Sequence, residues 1–394
     1  MRILFATPLR GFWKHLLNCN AFHAEFEYSS RNFYELNGKK QKIIKGVARW
    51  RIFDWFGVIR SIKVRKTGVD AYGSYNRFLQ ADKPYFIYVE NPTALYHYRL
   101  GRKNSFWGNK RIIKLMNDDH LKALVFMSMA CEKTFERVCI KVPSGCMIKQ
   151  IYPFVPENSN VTENIIRERC VQNIKLLFIA QGVRFLSKGA LEVIEAFVRL
   201  RKKCNIDITL TMVTSLVDAD KKTTELIKET DGVSLFDFVF DFNGMQKLYS
   251  THTILLIPTS DDSFSLTILE AMKSGLPIIG TSLYAIPEMV KEGVNGFLTD
   301  PAWWFFNKDN IPNPSVWNNR KRTIYSGERN ERIVDFIYEK VALLDSDRDL
   351  LFQMSNNSLK MSQSAPFGSA YIVSQWNKLF EELVSTTNNC QEMQ

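Results

Sequence analysis

The chain of 394 residues is 45% hydrophobic and 24% charged, the balance of a soluble globular protein too long for one ordinary core. No apolar run reaches the ~18 residues that cross a bilayer, and seven cysteines without CxxC spacing and five histidines without HxH or HExxH argue against a disulfide frame or a metal enzyme. The net charge of +11 is uneven: residues 1–170 carry +15 and the remainder −4, so the first half is expected to meet an anionic partner.

In chain order, "MRILFATPLRG" is too short and too early interrupted for a signal peptide and reads as a first β-strand. Next comes Lys39–Lys66, with ten basic residues, one acid (Asp54), and Trp50, Phe53, Trp55 and Phe56 interleaved. That composition suits an interfacial surface on anionic lipid. A helix with a solvated basic face and an aromatic core face fits equally well, and a nucleic-acid groove is the third reading. "RILFAT" (2–7), "YFIYVE" (85–90), "ALVFMS" (123–128) and "IKQIYPFV" (148–155) follow as buried strands with helical segments between some of them, the pattern of a parallel α/β sheet. Residues Pro156–Gln172 are polar and poor in strand signals, so they are expected to form a linker. Beyond it the pattern repeats in "KLLFIA" (175–180), "ITLTMVT" (208–214), "TILLIPT" (253–259), "PIIGTS" (277–282) and "NGFLT" (295–299). The aromatic cluster Trp303–Phe306 is either a plug over the core or an exposed anchor. From about Arg329 the chain reads as helices.

The chemistry concentrates in "DDSFSLTILEAMKSGLPIIG" (Asp261–Gly280). A carboxylate at Glu270, inside an otherwise apolar stretch, is costly unless a protein partner or a ligand meets it. "TILLIP" is a strand running into a turn, and Ser263 or Ser265 can cap a helix that starts near Leu266. In α/β sheets, ligands bind beyond the carboxyl ends of the strands, where a helix N-terminus favours phosphate. Glu270 lies about one turn along, where its carboxylate can accept two hydrogen bonds from a vicinal diol such as a ribose. Asp262 stands ahead of the helix, where it can take hydroxyls of a second sugar.

This segment resembles the acid-x7-Glu signature of retaining GT-B glycosyltransferases of family GT4, with Asp262 and Glu270 at the two acidic positions. "LLFIAQGVRFLSKGALEVIEAF" (176–197) resembles the family's glycine, basic-residue and Lys-Gly segment, and "IPEMVKEGVNGFL" (286–298) its Pro-Glu and Asn-Gly stretch. The resemblance covers residues 172–300; in the first half it is architectural. It implies a GT-B fold of α/β class, two Rossmann-like domains facing each other across a cleft. These would be a basic acceptor-binding domain at 1–160, a nucleotide-sugar domain at 172–365, and a C-terminal helix in 366–394 packing back on the first domain. It also implies that Glu270 binds ribose hydroxyls and Asp262 the donor sugar. Gly182 and the amides of Ser263, Phe264, Ser265 and Leu266 would face the donor, and Lys188 with Arg184 would neutralise the departing diphosphate. No cofactor or metal is implied. The family arginine expected five residues before Lys188 is Val183 here, with Arg184 beside it, and Tyr284-Ala285 replaces a Gly-Gly. On the acceptor side Gly11, Glu90 and Asn91 are the candidates, although Glu90-Asn91-Pro92 also reads as a capped turn.

Asp218-x-Asp220 and Asp345-x-Asp347 match a bare DxD, but helix capping explains such patterns as well. His15, His97, His120 and His252 have no sequence partners and read as structural. The expected function is transfer of a sugar, UDP-linked by preference, to a glycan or lipid-linked glycan in envelope polysaccharide synthesis. The expected place is the cytoplasm, on the inner membrane face. The alternatives are a GT-B glucosyltransferase acting on DNA and an inactive nucleotide-sugar-binding partner protein.

Overall fold

The computed structural model describes residues 1–28, 51–138, 142, 145–180, 184–204, 207–216 and 221–391. They fall into two units: Met1–Val155 with Ser369–Gln394, and Pro156–Gly368.

The first unit is built on β1 (Arg2–Phe5), β2 (Glu25–Glu27), β4 (Ala71–Tyr75), β6 (Tyr85–Val89), β7 (Leu121–Phe126) and β8 (Met147–Gln150), all parallel, in the order β2-β1-β4-β6-β7-β8. A separate short pair joins β3 (Ile62–Lys63) and β5 (Leu79–Gln80). The central strands β4 and β6 are buried on both faces, where apolar runs rather than alternating ones are expected. β4, "AYGSY", escapes that signal because Gly73 and Ser74 dilute it. The glycine is required: a Cβ there would fall 2.6 Å from the Phe5 ring. The helix Ser369–Gln391 closes this sheet, with Trp376 against Trp13 (centroids 5.3 Å), Tyr88 (5.5 Å) and Phe86 (5.6 Å). Around the sheet lie α1 (Phe12–Leu17), which buries Phe12, Trp13, Leu16 and Leu17, and α2 (Arg51–Trp55), α3 (Leu100–Asn104) and α4 (Phe106–Met116).

The second unit holds β9 (Lys175–Ala180), β10 (Thr209–Thr214), β11 (Val233–Phe236), β12 (Ile254–Ile257), β13 (Ile278–Thr281) and β14 (Gly296–Thr299), parallel in the order β11-β10-β9-β12-β13-β14. The chain builds outward from β9 to β11 and then returns to start β12 on the other side of β9. The β9/β12 boundary is therefore the topological switch point, where such sheets hold ligands. Helices α5 (Ala190–Cys204), α6 (Phe242–Thr251), α7 (Leu266–Met272), α8 (Glu331–Ser346) and α9 (Arg348–Gln363) flank this sheet or pack with its helices. Both sheets are Rossmann-like, and the fold is GT-B.

Several expectations change. The segment Pro156–Gln172 is not a free linker: Thr162 caps a helix, Glu163–Val171, inside the second unit. Its Arg169, 6% exposed, donates to the carbonyls of Ser250 (3.2 Å), Ser274 (3.1 Å) and Gly275 (2.6 Å). The aromatic cluster divides. Phe305 and Phe306 are buried, stacked on Trp317 (4.2 Å) and Tyr284 (3.9 Å), while Trp303 and Trp304 are half-buried. Asp345 pairs with Arg348 and Asp347 caps α9, so this DxD joins two helices. Asp218, Asp220 and residues 39–50 of the basic stretch lie outside the described residues.

Two histidines are internal. His97 accepts the Arg60 amide through Nε2 (2.9 Å), and burial beside Arg77 pushes its pKa down to about 3. His252 lies within reach of the Leu248 carbonyl (2.7 Å) and the Thr211 hydroxyl (2.8 Å), and burial pushes it to about 4. Below pH 6.5 the unfolded chain binds protons that these folded rings refuse. Stability is thus complete above the unfolded value of 6.5 and falls as pH drops toward about 4. The expected slope is up to ~1.4 kcal/mol per pH unit per histidine. Urea melts between pH 7 and 5 should show this slope, shallower in His252→Asn; equal slopes would contradict it.

Candidate functional site

At the β9/β12 switch point, two loops leave adjacent strand ends. After β9 the chain makes a short 3-10 turn, Leu186–Lys188, and then Gly189 at φ +80°. Both the backbone angle and the space demand glycine there, since a Cβ would meet the Pro258 carbonyl oxygen at 2.5 Å. After β12 the chain passes Pro258–Asp262. The two loops are laced together: the Ser260 amide donates to the Ser187 carbonyl (2.8 Å) and the Thr259 hydroxyl to the same oxygen (3.4 Å). Gly189→Ala is therefore expected to cost about 2–3 kcal/mol through clash and strain, read as a lower urea midpoint. An unchanged midpoint would show that the loops can give way.

Lys188 and Asp262 meet across this seam. Both are buried, and the Lys188 ammonium donates to Asp262 Oδ2. Oδ1 accepts the amides of Ser263 (3.0 Å) and Ser265 (3.1 Å). Burial works to raise the Asp262 pKa, but Lys188, helped by the Arg184 charge, holds it below the usual carboxylate value. Asp262 is thus an ionised anchor for Lys188 and for the turn, with both oxygens engaged by protein.

The turn leads into α7. Ser265 is its N-cap at φ +66°, in the left-handed region, and its side chain makes no cap bond. The expectation that Ser263 or Ser265 caps the helix is corrected: the Asp262 carboxylate, a charged and stronger acceptor, takes the turn amides. The Ser265 hydroxyl is buried without a hydrogen-bond partner among the described residues. Phe264 is buried, and Ser263 and Leu266 are half-buried.

Glu270, one turn into α7, is half-buried and accepts a 2.7 Å hydrogen bond from the Tyr249 phenol on α6. Burial raises its pKa and the Tyr249 hydrogen bond opposes that rise. Among the described residues no cation lies within ion-pair distance of this carboxylate. The protein partner that the sequence called for is thus a neutral phenol, which orients Oε2. Tyr249 and Arg169 carry no local signal in the sequence. The first is a helix tyrosine like any other, and the second sits in a stretch whose composition reads as solvated. Arg184 is half-buried beside Lys188, and its charge reaches Asp262. Gly182 and Val183 lie outside the described residues.

In the first unit the switch point is the β1/β4 boundary, and a second polar cluster gathers at nearby strand ends. Glu90, following β6, accepts from Tyr75 Oη at 2.7 Å, Arg10 Nη2 at 3.2 Å, and Asn76 Nδ2 and Tyr98 Oη at 3.4 Å. Asn91 is engaged locally, its side chain capping the 3-10 turn Pro92–Tyr96 (Thr93 amide, 3.1 Å). Gly11 caps α1 with open space where a Cβ would stand. Neither Arg10 nor Tyr75 stood out in the sequence.

Residues 173–303 match the family described as Glycosyl transferases group 1. Over 101 residues the chain is 29% identical to N-acetyl-alpha-D-glucosaminyl L-malate synthase of Bacillus anthracis, covering 23% of this chain and 26% of that protein. Over 121 residues it is 34% identical to MMP alpha-(1->4)-mannosyltransferase of Mycolicibacterium hassiacum, covering 29% and 28%. Each match thus spans about a quarter of the relative's length. Among solved structures, HepE of Anabaena in complex with UDP-glucose is similar at a TM-score of 0.59 and 14% identity, over 97% of this chain and 100% of that one, a likeness of fold alone.

Proposed function

We propose, from a chain whose residues 173–303 match the glycosyl transferases group 1, that the protein moves a sugar from a nucleotide-sugar donor to a glycan or lipid-linked glycan acceptor. The observation that carries the reading is the buried Lys188–Asp262 pair bridging the loops at the β9/β12 switch point, with the oriented carboxylate of Glu270 one helical turn beyond. In this reading Glu270 takes the ribose diol. Lys188, held by Asp262 and joined by Arg184, neutralises charge as the diphosphate departs. Positive charge that acts on the leaving group lowers the barrier rather than only binding substrate. Asp262 serves the donor through Lys188 and through the Ser263 and Ser265 amides that it fixes. The unpartnered Ser265 hydroxyl and the amides near Leu266 are left for donor oxygens. Glu90 and Gly11 stand on the acceptor side.

UDP is the favoured nucleotide, envelope polysaccharide the favoured setting, and the inner membrane face the favoured place. No helix among the described residues is long and apolar enough to cross a membrane. The product is expected to keep the donor's anomeric configuration, which proton NMR of the product reads directly. Because Lys188 and Arg184 supply the cationic charge, turnover is expected to survive excess EDTA; abolition by EDTA that magnesium restores would contradict this.

The test is nucleotide release across UDP-, GDP- and dTDP-sugars, wild type beside Glu270→Ala. Release from one donor that falls by about 10²-fold or more in the variant is expected. Binding without release from any donor would instead identify an inactive nucleotide-sugar-binding protein. Equal release in both proteins would remove Glu270 from the site.

A further inference from the structure

Two exposed aromatic pairs on the first unit belong to one surface. Trp55 ends α2 and Phe56 follows it, 69% and 50% exposed; Phe106 and Trp107 begin α4 and are 73% and 52% exposed. The glycine after each pair joins them. A Cβ on Gly57 would fall 2.1 Å from the Gly108 amide nitrogen, so the two backbones touch and the four rings share a neighbourhood. Within each pair the rings lie 4.9 and 5.5 Å apart. Large apolar rings left in water in this way mark an interaction surface rather than a core face.

The charge around them has one sign. From Arg99 to Met116 the chain has six basic residues and no acid. Lys110, Arg111 and Lys114 are exposed on α4, with Ile113 also 42% exposed among them. Asp54, the acid next to Trp55, is held by Arg99 (Nε, 2.9 Å) and by the buried Arg102 (3.2 Å), so its charge is already neutralised. A helix that carries Trp and Phe at one end and lysines and arginine along its open side lies in a membrane interface. The rings enter the acyl boundary and the cations meet anionic headgroups. Single-stranded nucleic acid would also stack on rings beside cations, but it has no use for the exposed aliphatic Ile113.

We propose that the surface formed by Trp55, Phe56, Phe106 and Trp107 with Lys110, Arg111 and Lys114 docks this protein on an anionic lipid bilayer. The inference rests on the functional reading's lipid-borne acceptor and membrane-face placement, and not on its sugar-transfer chemistry. Its test contains no donor, so either can fail alone.

Full-length protein is floated with vesicles of equal parts phosphatidylglycerol and phosphatidylcholine, and with phosphatidylcholine alone. The wild type is expected to float with the anionic vesicles only, and less in high salt. Trp55→Ser/Phe56→Ser/Phe106→Ser/Trp107→Ser is expected to lose binding about tenfold or more, and Lys110→Glu/Arg111→Glu/Lys114→Glu about as much. Both variants change solvent-facing side chains, so their unfolding temperatures should match the wild type and show that the loss is not misfolding. Failure of the wild type to float overturns the proposal, as does flotation of the aromatic variant at wild-type level. Preferential binding of single-stranded poly-dT through the same residues, without vesicle binding, assigns the surface to nucleic acid instead.

Discussion

Lys188→Ala is expected to lower turnover of the preferred donor by about 10²–10³-fold and also to destabilise the second unit by about 3–5 kcal/mol. Both effects come from the same buried pair. Without the ammonium, the departing diphosphate loses a fixed positive charge at the moment charge develops. Asp262 is left ionised and buried, with the Ser263 and Ser265 amides and the more distant Arg184 charge for support. The two effects separate in the double variant Lys188→Met/Asp262→Asn, in which neither partner is charged. That protein should regain most of the lost stability while remaining inactive. If the double variant regains turnover, the lysine acts only by holding the loops, and the leaving-group role is wrong. Chemical denaturation and initial rates on the same preparations decide between the two.

Arg169→Met is expected to cost about 3–5 kcal/mol. The guanidinium is buried deeply enough that its pKa falls to about 10, yet it remains charged at neutral pH. It joins the carbonyl of Ser250, near the end of α6, to those of Ser274 and Gly275, just past the end of α7. Tyr249 and Glu270 sit on those two helices. The variant should therefore unfold at lower denaturant and also bind donor more weakly, as the phenol and carboxylate lose their register. Stability lost with full donor affinity would show that α6 and α7 keep their places by packing alone. Methionine fills most of the space, so the loss reports hydrogen bonds and not a cavity.

These two residues also mark what could be read from the sequence. The central strands of the second unit, β9, β10, β12 and β13, stand in the sequence as near-continuous apolar runs, because a parallel strand buried on both faces admits little else. The acid-x7-Glu spacing and the Lys-Gly step are local, so Lys188, Asp262 and Glu270 were legible as candidates. The partnerships were not. Lys188 meets Asp262 only because β9 and β12 are neighbours in the sheet, 74 positions apart in sequence. Tyr249 reaches Glu270 from another helix. Arg169 has the composition of a solvated linker and becomes internal only when α6 and α7 close on it. Strand β4 was missed because its glycine serves the Phe5 ring rather than any strand propensity. The serine caps were misassigned because propensity does not say which of several neighbouring oxygens will carry charge.

The first unit is completed by a helix that follows the entire second unit in the chain. During synthesis, residues 1–155 must wait, with Trp13, Phe86 and Tyr88 lacking their cover, until residues 369–391 have emerged. The second unit, continuous in sequence, is free to finish before the first. Birth order and folding order are thus free to invert, and an interrupted translation product ending before residue 369 would present an open aromatic face to chaperones and proteases beside a second unit whose residues were all present.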